Sequence, residues 1–273
     1  MIDLHLHTTA SDGRSIPEDL VREVQAAGVE VMAVTDHDTV AGLDRASAAA
    51  ADAGLTFVPG IEITAVIDGR DLHLLGYFIN PADPSLGPFL AAQRLERRRR
   101  VDAIALRLEQ IGAPIDRTRL IAAAEAPTGR AVGRPLVAAA LIEAGHARDV
   151  ADAFDRYLSE GRPAFVTRVG PSPADVLQMI AGAGGLSSFA HPGKFSRDEV
   201  IPGLVEAGLS ALEVFHPDHS AADVRRYDDM ARRAGLLATG GSDYHGPGSG
   251  RTGGLGRVGL PPEAYRALVA RRG

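Results

Sequence analysis

Two histidines separated by a single residue stand near the start of the chain, in Asp3-Leu4-His5-Leu6-His7-Thr8. On a strand, residues i and i+2 face the same side, so the two imidazoles point together. Four more histidines recur at strand ends or within a hairpin: His37 in Thr35-Asp36-His37-Asp38-Thr39, His73, His191, and His245 in Ser242-Asp243-Tyr244-His245. Glu62 interrupts the apolar run Gly60-Ile61-Glu62-Ile63-Thr64, where a buried carboxylate is expensive unless a cation offsets it. One histidine at a strand end is ordinarily a capped or solvated residue. Six of them, several beside Asp or Glu, point to a divalent metal site built from nitrogen and oxygen. Asp36 and Asp38 read as groups that orient His37. For Asp38 in particular, the plainer reading is a helix N-cap.

The elements that must position these groups follow from periodicity. Ile2–Leu6 alternates apolar and polar residues and reads as a strand. Pro17 opens a helix that Gly28 ends, and 31–34 is a short buried strand. A helix over 41–53 follows. Two strands, 57–67 and 72–78, are joined around Asp68-Gly69, a hairpin signal. From about 84 to 161 the chain is mostly helical. Its run Arg97-Arg98-Arg99-Arg100 points in several directions on a helix and reads mainly as a solvated face. Strands then alternate with helices again: strands over 185–190, 211–215 and 236–239, and helices over 198–207, 221–234 and 262–271. This rhythm predicts an α/β fold with a parallel, barrel-like sheet. Strand ends converge on one face of such a barrel, where sites of this kind lie.

Composition bounds the partners. The chain has 273 residues, 45% hydrophobic and 23% charged, which is compatible with one large α/β domain or one domain carrying an insertion. Net charge is -6, which does not support a broad basic surface for duplex DNA. With no cysteine, disulfides and thiolate zinc sites are excluded. No apolar run approaches the ~18–20 residues of a membrane helix. The N-terminal residues lack the features of a secretory signal, so a cytoplasmic location is the expectation.

The motifs resemble those of the PHP family, named for polymerase and histidinol phosphatase. The resemblance is carried by Asp3-Leu-His5-Leu-His7-Thr, Asp12-Gly13, Thr35-Asp36-His37-Asp38, Gly60-Ile-Glu62, His73, His191-Pro192 and Ser242-Asp243-x-His245. It implies a distorted (β/α)7 TIM-like barrel, here spanning 1–83 and 162–273. A helical insertion over 84–161 would cover the active-site mouth. It also implies two to three divalent metal ions, manganese, iron or zinc. The first would take His5, His7, Glu62 and Asp243. The second would share Glu62 and add His73 and His191. The third would take Asp12, His37 and His245, with Asp12 standing where some relatives carry His.

Within the family, the length and the insertion resemble the nucleoside 3′,5′-bisphosphate phosphatases. That group includes RNase AM-like enzymes that trim 5′ ends of short RNA. Val132-Gly-Arg134-Pro-Leu136 resembles a motif of their insertion, with Leu136 replacing the usual His, and Phe215-His216-Pro-Asp-His219 resembles another. The expected activity is therefore hydrolysis of a phosphate monoester by a metal-bridging hydroxide, with no side-chain nucleophile. His219 is the candidate proton donor to the leaving group. Arg130, Arg134, Arg168 and Lys194 form the candidate phosphate clamp. His216 and His146 read as structural or surface residues. Histidinol phosphate or a cyclic phosphodiester is the alternative substrate. A free-standing proofreading exonuclease and a barrel that has lost catalysis and acts as a binding module are the competing readings.

Overall fold

A computed structural model describes residues 1–125, 133–249 and 254–272. Seven strands lie side by side in chain order: β1 (Ile2–Leu6), β2 (Val31–Val34), β3 (Thr56–Ile67), β4 (Arg70–Tyr77), β5 (Leu186–Phe189), β6 (Ala211–Phe215) and β7 (Leu237–Gly240). The His7 amide donates to the Tyr244 carbonyl at 3.0 Å, just past β7, which brings the sheet round to a nearly closed barrel.

The sheet is not wholly parallel, contrary to the sequence expectation. β4 runs antiparallel to both β3 and β5, while the remaining neighbours are parallel. The cause is local. Asp68 and Gly69 both take positive φ, 51° and 73°, and reverse the chain within two residues, so no crossover helix intervenes.

Alternation along the strands separates two environments. Ile61, Ile63, Leu72, Leu74, Leu212 and Val214 pack in the main apolar core. That core also takes Leu20, Val21 and Val24 of α1 (Pro17–Ala26) and Ala46 and Ala50 of α2 (Leu43–Asp52). The intervening residues Glu62, His73 and Glu213 therefore face the other side, the barrel interior.

Because β4 descends, the chain leaves the sheet at the end away from the histidines. α3 (Leu86–Gln110) carries it back; 25 residues of helix span about 37 Å. Leu86, Leu90, Gln93, Arg97, Val101, Ile104 and Leu108 follow at steps of three and four and form one continuous stripe. Its lower part, Leu86 and Leu90, belongs to the barrel core. Its upper part, Val101, Ile104 and Leu108, belongs to a second core with Val137, Leu141, Leu158 and Ala164. That second core joins α3 to α4 (Arg117–Glu125), α5 (Arg134–Glu143), α6 (Val150–Ala153) and a π-helical turn at Phe154–Leu158. The helical insertion thus draws its own apolar core from residues between 101 and 164.

The chain returns down α7 (Pro173–Gly182), capped at Ser172 by a reciprocal bond with Asp175. The short α8 (Pro192–Phe195), α9 (Ile201–Glu206), α10 (Ala221–Ala234) and α11 (Pro262–Arg271) complete the layer around the sheet. Among the described residues, no helix is long and apolar enough to cross a membrane.

Candidate metal centre and its cleft

An interior position of β1 and the residue just beyond the strand bring His5 and His7 together, both fully buried, with ring centroids 5.1 Å apart. Glu62 projects from β3 toward them. Its Oε2 lies 3.5 Å from His5 Nε2, 3.4 Å from His7 Nε2 and 3.1 Å from His37 Nδ1. Its Oε1 lies 2.8 Å from His73 Nδ1 and 3.1 Å from His191 Nε2. Glu62 therefore stands between two sets of histidines, one at each oxygen. Asp243 Oδ1 approaches His5 Nε2 at 3.5 Å and His7 Nε2 at 3.3 Å. On the outer side, Asp12 Oδ1 lies 3.0 Å from His245 Nε2 and 3.9 Å from His37 Nε2.

Backbone strain contributes to this convergence. His191 and Asp243 both adopt left-handed backbone, at φ 33° and 51°. Each such residue costs on the order of 1–3 kcal/mol and persists only where its surroundings hold it.

The groups fit divalent cations. His5 Nε2, His7 Nε2, His73 Nδ1, His245 Nε2 and Glu62 Oε2 are buried and make no hydrogen bond. Such atoms ordinarily find partners, and here their free positions converge on one another. Burial pushes His37 down to about 3 and His191 down to about 4, so both rings are neutral and present lone pairs. At His5, burial is outweighed by Glu213, Asp243 and Glu62, which push its pKa well up. The carboxylates thus favour a positive charge at that point, as a metal ion provides. Nitrogen and oxygen donors of this kind suit manganese, iron or zinc.

The surrounding polar groups differ from expectation. Asp36 accepts from the Thr8 amide at 2.8 Å, Thr8 Oγ1 at 2.6 Å and Ser11 Oγ at 2.5 Å. It shapes the turn that presents Asp12 rather than orienting the His37 ring. Asp38 accepts from the Thr64 amide at 2.9 Å and from Arg97, so it ties β3 to the insertion and caps no helix.

His219 is not placed as a proton donor. Its Nδ1 donates to the Val214 carbonyl at 2.9 Å, and its Nε2 accepts from the Gly193 amide at 3.2 Å. Both ring nitrogens are spent on backbone, and the ring holds the turn after His191. A Cβ at Gly193 would meet the His219 ring at 2.8 Å, so that turn needs glycine.

His216, read from sequence as structural or surface, instead borders the centre. It is 3% exposed, and its Nδ1 accepts from the Asp218 amide at 3.1 Å. The proton therefore sits on Nε2, which faces Asp243 Oδ2 at 3.4 Å. Glu213 was also missed. Its carboxylate lies 2.8 Å from His5 Nδ1 and accepts the His191 amide at 2.6 Å. Burial raises Glu213, but His5, His216 and His191 together more than offset that and hold it at about 2. The one signal for Glu213 in the sequence is an acid at an interior position of a strand. His146 lies in the insertion, on the Pro114 carbonyl at 3.0 Å.

A cleft of about 600 Å³ opens from the centre between barrel and insertion. Asp12, His37, His73 and His245 form its metal-facing side, and Arg14, Arg97, Arg100, Arg134 and Arg168 line it. Arg97 and Arg100 are thus not on a solvated face: their side chains are 13% and 12% exposed. Arg168 is buried against Asp71 at 3.2 Å and Asp38 at 3.9 Å. The Arg134 guanidinium lies over the Phe154 ring, 5.6 Å from its centroid. A smaller groove of about 250 Å³ shares Asp71, Arg100 and Arg134 and reaches His191 and Lys194. Lys194 Nζ sits 2.9 Å from both Asp243 Oδ2 and Asp218 Oδ2, which ties it to a candidate ligand. Arg130 lies outside the described residues.

Comparison with known proteins agrees with this arrangement. A model of the PHP domain matches residues 3–130. The 3′,5′-nucleoside bisphosphate phosphatase of Chromobacterium violaceum is 33% identical over 254 residues, covering 91% of this chain and 88% of that protein. The phosphoribosyl 1,2-cyclic phosphate 1,2-diphosphodiesterase of Eggerthella lenta is 35% identical, covering 89% and 94%. A solved structure from Bifidobacterium adolescentis, classed as a metal-dependent phosphoesterase, superposes with a TM-score of 0.86 at 33% identity, covering 98% and 95%. With its histidine–carboxylate centre in a seven-stranded barrel and similarity along nearly its whole length, the chain belongs to the PHP domain family.

Proposed function

We propose that this metal-dependent phosphoesterase of the PHP family removes the 5′-phosphate of nucleoside 3′,5′-bisphosphates and acts by the same chemistry on 5′ ends of short RNA. One observation carries the reading. A single cleft holds the candidate metal centre on one side and five arginine side chains around it. A substrate with one phosphate at the metals and a second anion among the arginines matches that arrangement. Val101, Ile104, Leu136 and Phe154 add an apolar wall suited to a nucleoside. The similarity to the Chromobacterium phosphatase supports the same substrate class.

His5, His7, Glu62 and Asp243 would hold one ion, Glu62, His73 and His191 a second, and Asp12, His37 and His245 a third. When bound, such ions supply an activated water and neutralise charge on the phosphoryl oxygens. The remaining work belongs to the chain. Lys194 and His216 hold Asp243 from its Oδ2 side and keep Oδ1 turned toward His5 and His7. Arg100 and Arg134 border both cavities. Arg100 donates to the Val166 carbonyl at 2.9 Å and lies 4.0 Å from Asp71, so Arg134 is the one of the two better placed to meet a remote phosphate. Arg168 is engaged by Asp71 and Asp38 and braces that wall.

A second reading, hydrolysis of a cyclic phosphate on a phosphorylated ribose, is favoured by the Eggerthella relative and would use the same two-anion cleft. A panel with Mn²⁺ separates them: adenosine 3′,5′-bisphosphate, AMP, phosphoribosyl 1,2-cyclic phosphate, histidinol phosphate and 5′-phosphorylated RNA oligomers. The expected result is a kcat/KM at least tenfold higher for the bisphosphate than for AMP. Equal values for those two would reject the arginine subsite, and faster turnover of the cyclic phosphate would establish the second reading.

A further inference from the structure

The strand β6 reads Ala211-Leu212-Glu213-Val214-Phe215, and Leu212 and Val214 both go to the main apolar core. Glu213 must then face the barrel interior, where its side chain is fully buried. Each of its oxygens meets one N–H group. Oε1 lies 2.8 Å from His5 Nδ1, and Oε2 accepts the His191 amide at 2.6 Å.

These two bonds have different consequences. Accepting from His5 Nδ1 requires the proton on that nitrogen. The lone pair of a neutral His5 is then on Nε2, which faces Glu62 Oε2 and Asp243 Oδ1, each at 3.5 Å. The second bond fixes backbone. His191 sits at φ 33° and ψ 57°, outside the usual range of a residue with a side chain. With its amide pinned, its ring stacks beside that of His5 at 5.9 Å and brings Nε2 within 3.1 Å of Glu62 Oε1. His5 and His191 thus meet opposite oxygens of Glu62 while being held from behind by opposite oxygens of Glu213.

We propose that Glu213 is a positioning residue that sets two candidate metal-binding histidines at once, His5 through its ring and His191 through its backbone. A carboxylate is needed because both partners are donors. An amide of the same shape has one oxygen and presents N–H groups to the second donor. This inference rests on the histidine cluster being a metal centre and is independent of the substrate.

The test is Mn²⁺ binding to metal-free protein by calorimetry, for the wild type and for Glu213→Gln. Carboxylates behind ligating histidines typically contribute 10- to 100-fold in metal affinity. The expected result is a loss of about that size in Glu213→Gln, with kcat recovered at saturating Mn²⁺ and KM unchanged. The control is Ser188→Ala, which removes the buried 2.7 Å bond to Thr239 Oγ1, also in the sheet interior, and should bind Mn²⁺ as the wild type does. Wild-type affinity in Glu213→Gln would overturn the proposal, as would an equal loss in Ser188→Ala. If Glu213→Gln does not fold, long-range ¹⁵N–¹H NMR of the Zn²⁺-loaded wild type decides. A proton on His5 Nδ1 supports the proposal, and a proton on Nε2 alone overturns it. A wild type that binds no Mn²⁺ at all would instead remove the metal centre itself.

Discussion

Arg97 of α3 donates from Nε to Asp38 Oδ2 at 2.7 Å, across the boundary between the insertion and the barrel. The same guanidinium reaches Thr64 Oγ1 through Nη2 at 2.7 Å, and Gln93, one turn earlier, donates to the Thr64 carbonyl at 3.0 Å. The insertion is therefore fastened to the barrel by charge and hydrogen bonds at the point where its stripe of apolar residues is interrupted. Removing one partner of a buried ion pair costs about 3–5 kcal/mol. Arg168 still lies 3.9 Å from Asp38, so the lower end applies. Arg97→Met should accordingly lose about 3 kcal/mol in urea unfolding. An unchanged midpoint would mean that the pair contributes nothing to holding the insertion.

Chelation should act on stability as well as turnover. Ions at 100 times their dissociation constant stabilise a folded state by about 2.7 kcal/mol. For a chain of this size, that corresponds to a fall in Tm on the order of 5–10 °C after dialysis against a chelator. Differential scanning calorimetry with and without added Mn²⁺, Fe²⁺ or Zn²⁺ measures it. A Tm indifferent to all three ions would argue against the cluster as a resident metal centre.

His219 offers a clear separation of roles. If it only braces backbone, His219→Ala should lose about 1–3 kcal/mol by leaving the Gly193 amide or the Val214 carbonyl unpaired. Turnover below the new Tm should stay within a few-fold of wild type. Loss of a general acid would instead lower kcat by about 10²–10⁴. A drop of that size, with the fold intact by circular dichroism, would restore His219 to the chemistry.

Arg134→Ala should raise KM for a doubly phosphorylated substrate by roughly tenfold and change kcat little, the signature of binding equally strong in ground and transition states. AMP, which lacks the second phosphate, should respond much less. A matched rise for both substrates would move Arg134 away from the remote phosphate.

Much of the centre was legible from residue types. Apart from Asp12, which lies in the turn after β1, each candidate ligand is a histidine or an acid in a strand or just beyond one, where a bland role is hard to find. The groups behind the ligands were not legible, because their identity depends on distant partners. Glu213 is defined by His5, 208 positions away in the chain, and His216 by its reach to Asp243. His219 misled for the same reason: its partners are the Gly193 amide and the Val214 carbonyl, and backbone groups carry no sequence signature. The hairpin at Asp68-Gly69 was recognisable. That β4 also runs against β5, turning an expected parallel barrel into a mixed one, depends on a return path of more than a hundred residues. The arginine run shows the same limit. A helix directs Arg97 and Arg100 inward and leaves Arg99 paired with Glu96 at the surface, and only the packing of α3 sets that phase.

The length of α3 has an evolutionary consequence. One unbroken helix gears the barrel core to the insertion core, since residues a few turns apart on a single stripe serve both. Adding or deleting one residue between Leu90 and Val101 would turn everything beyond it by about 100°. Arg97 or the apolar residues above it would then swing off their partners. Length changes beyond Gln110 carry no such rotation. The chain can therefore remodel the far side of its cleft, and with it substrate choice, by varying the later helices and loops, while the spacing within this one helix stays fixed.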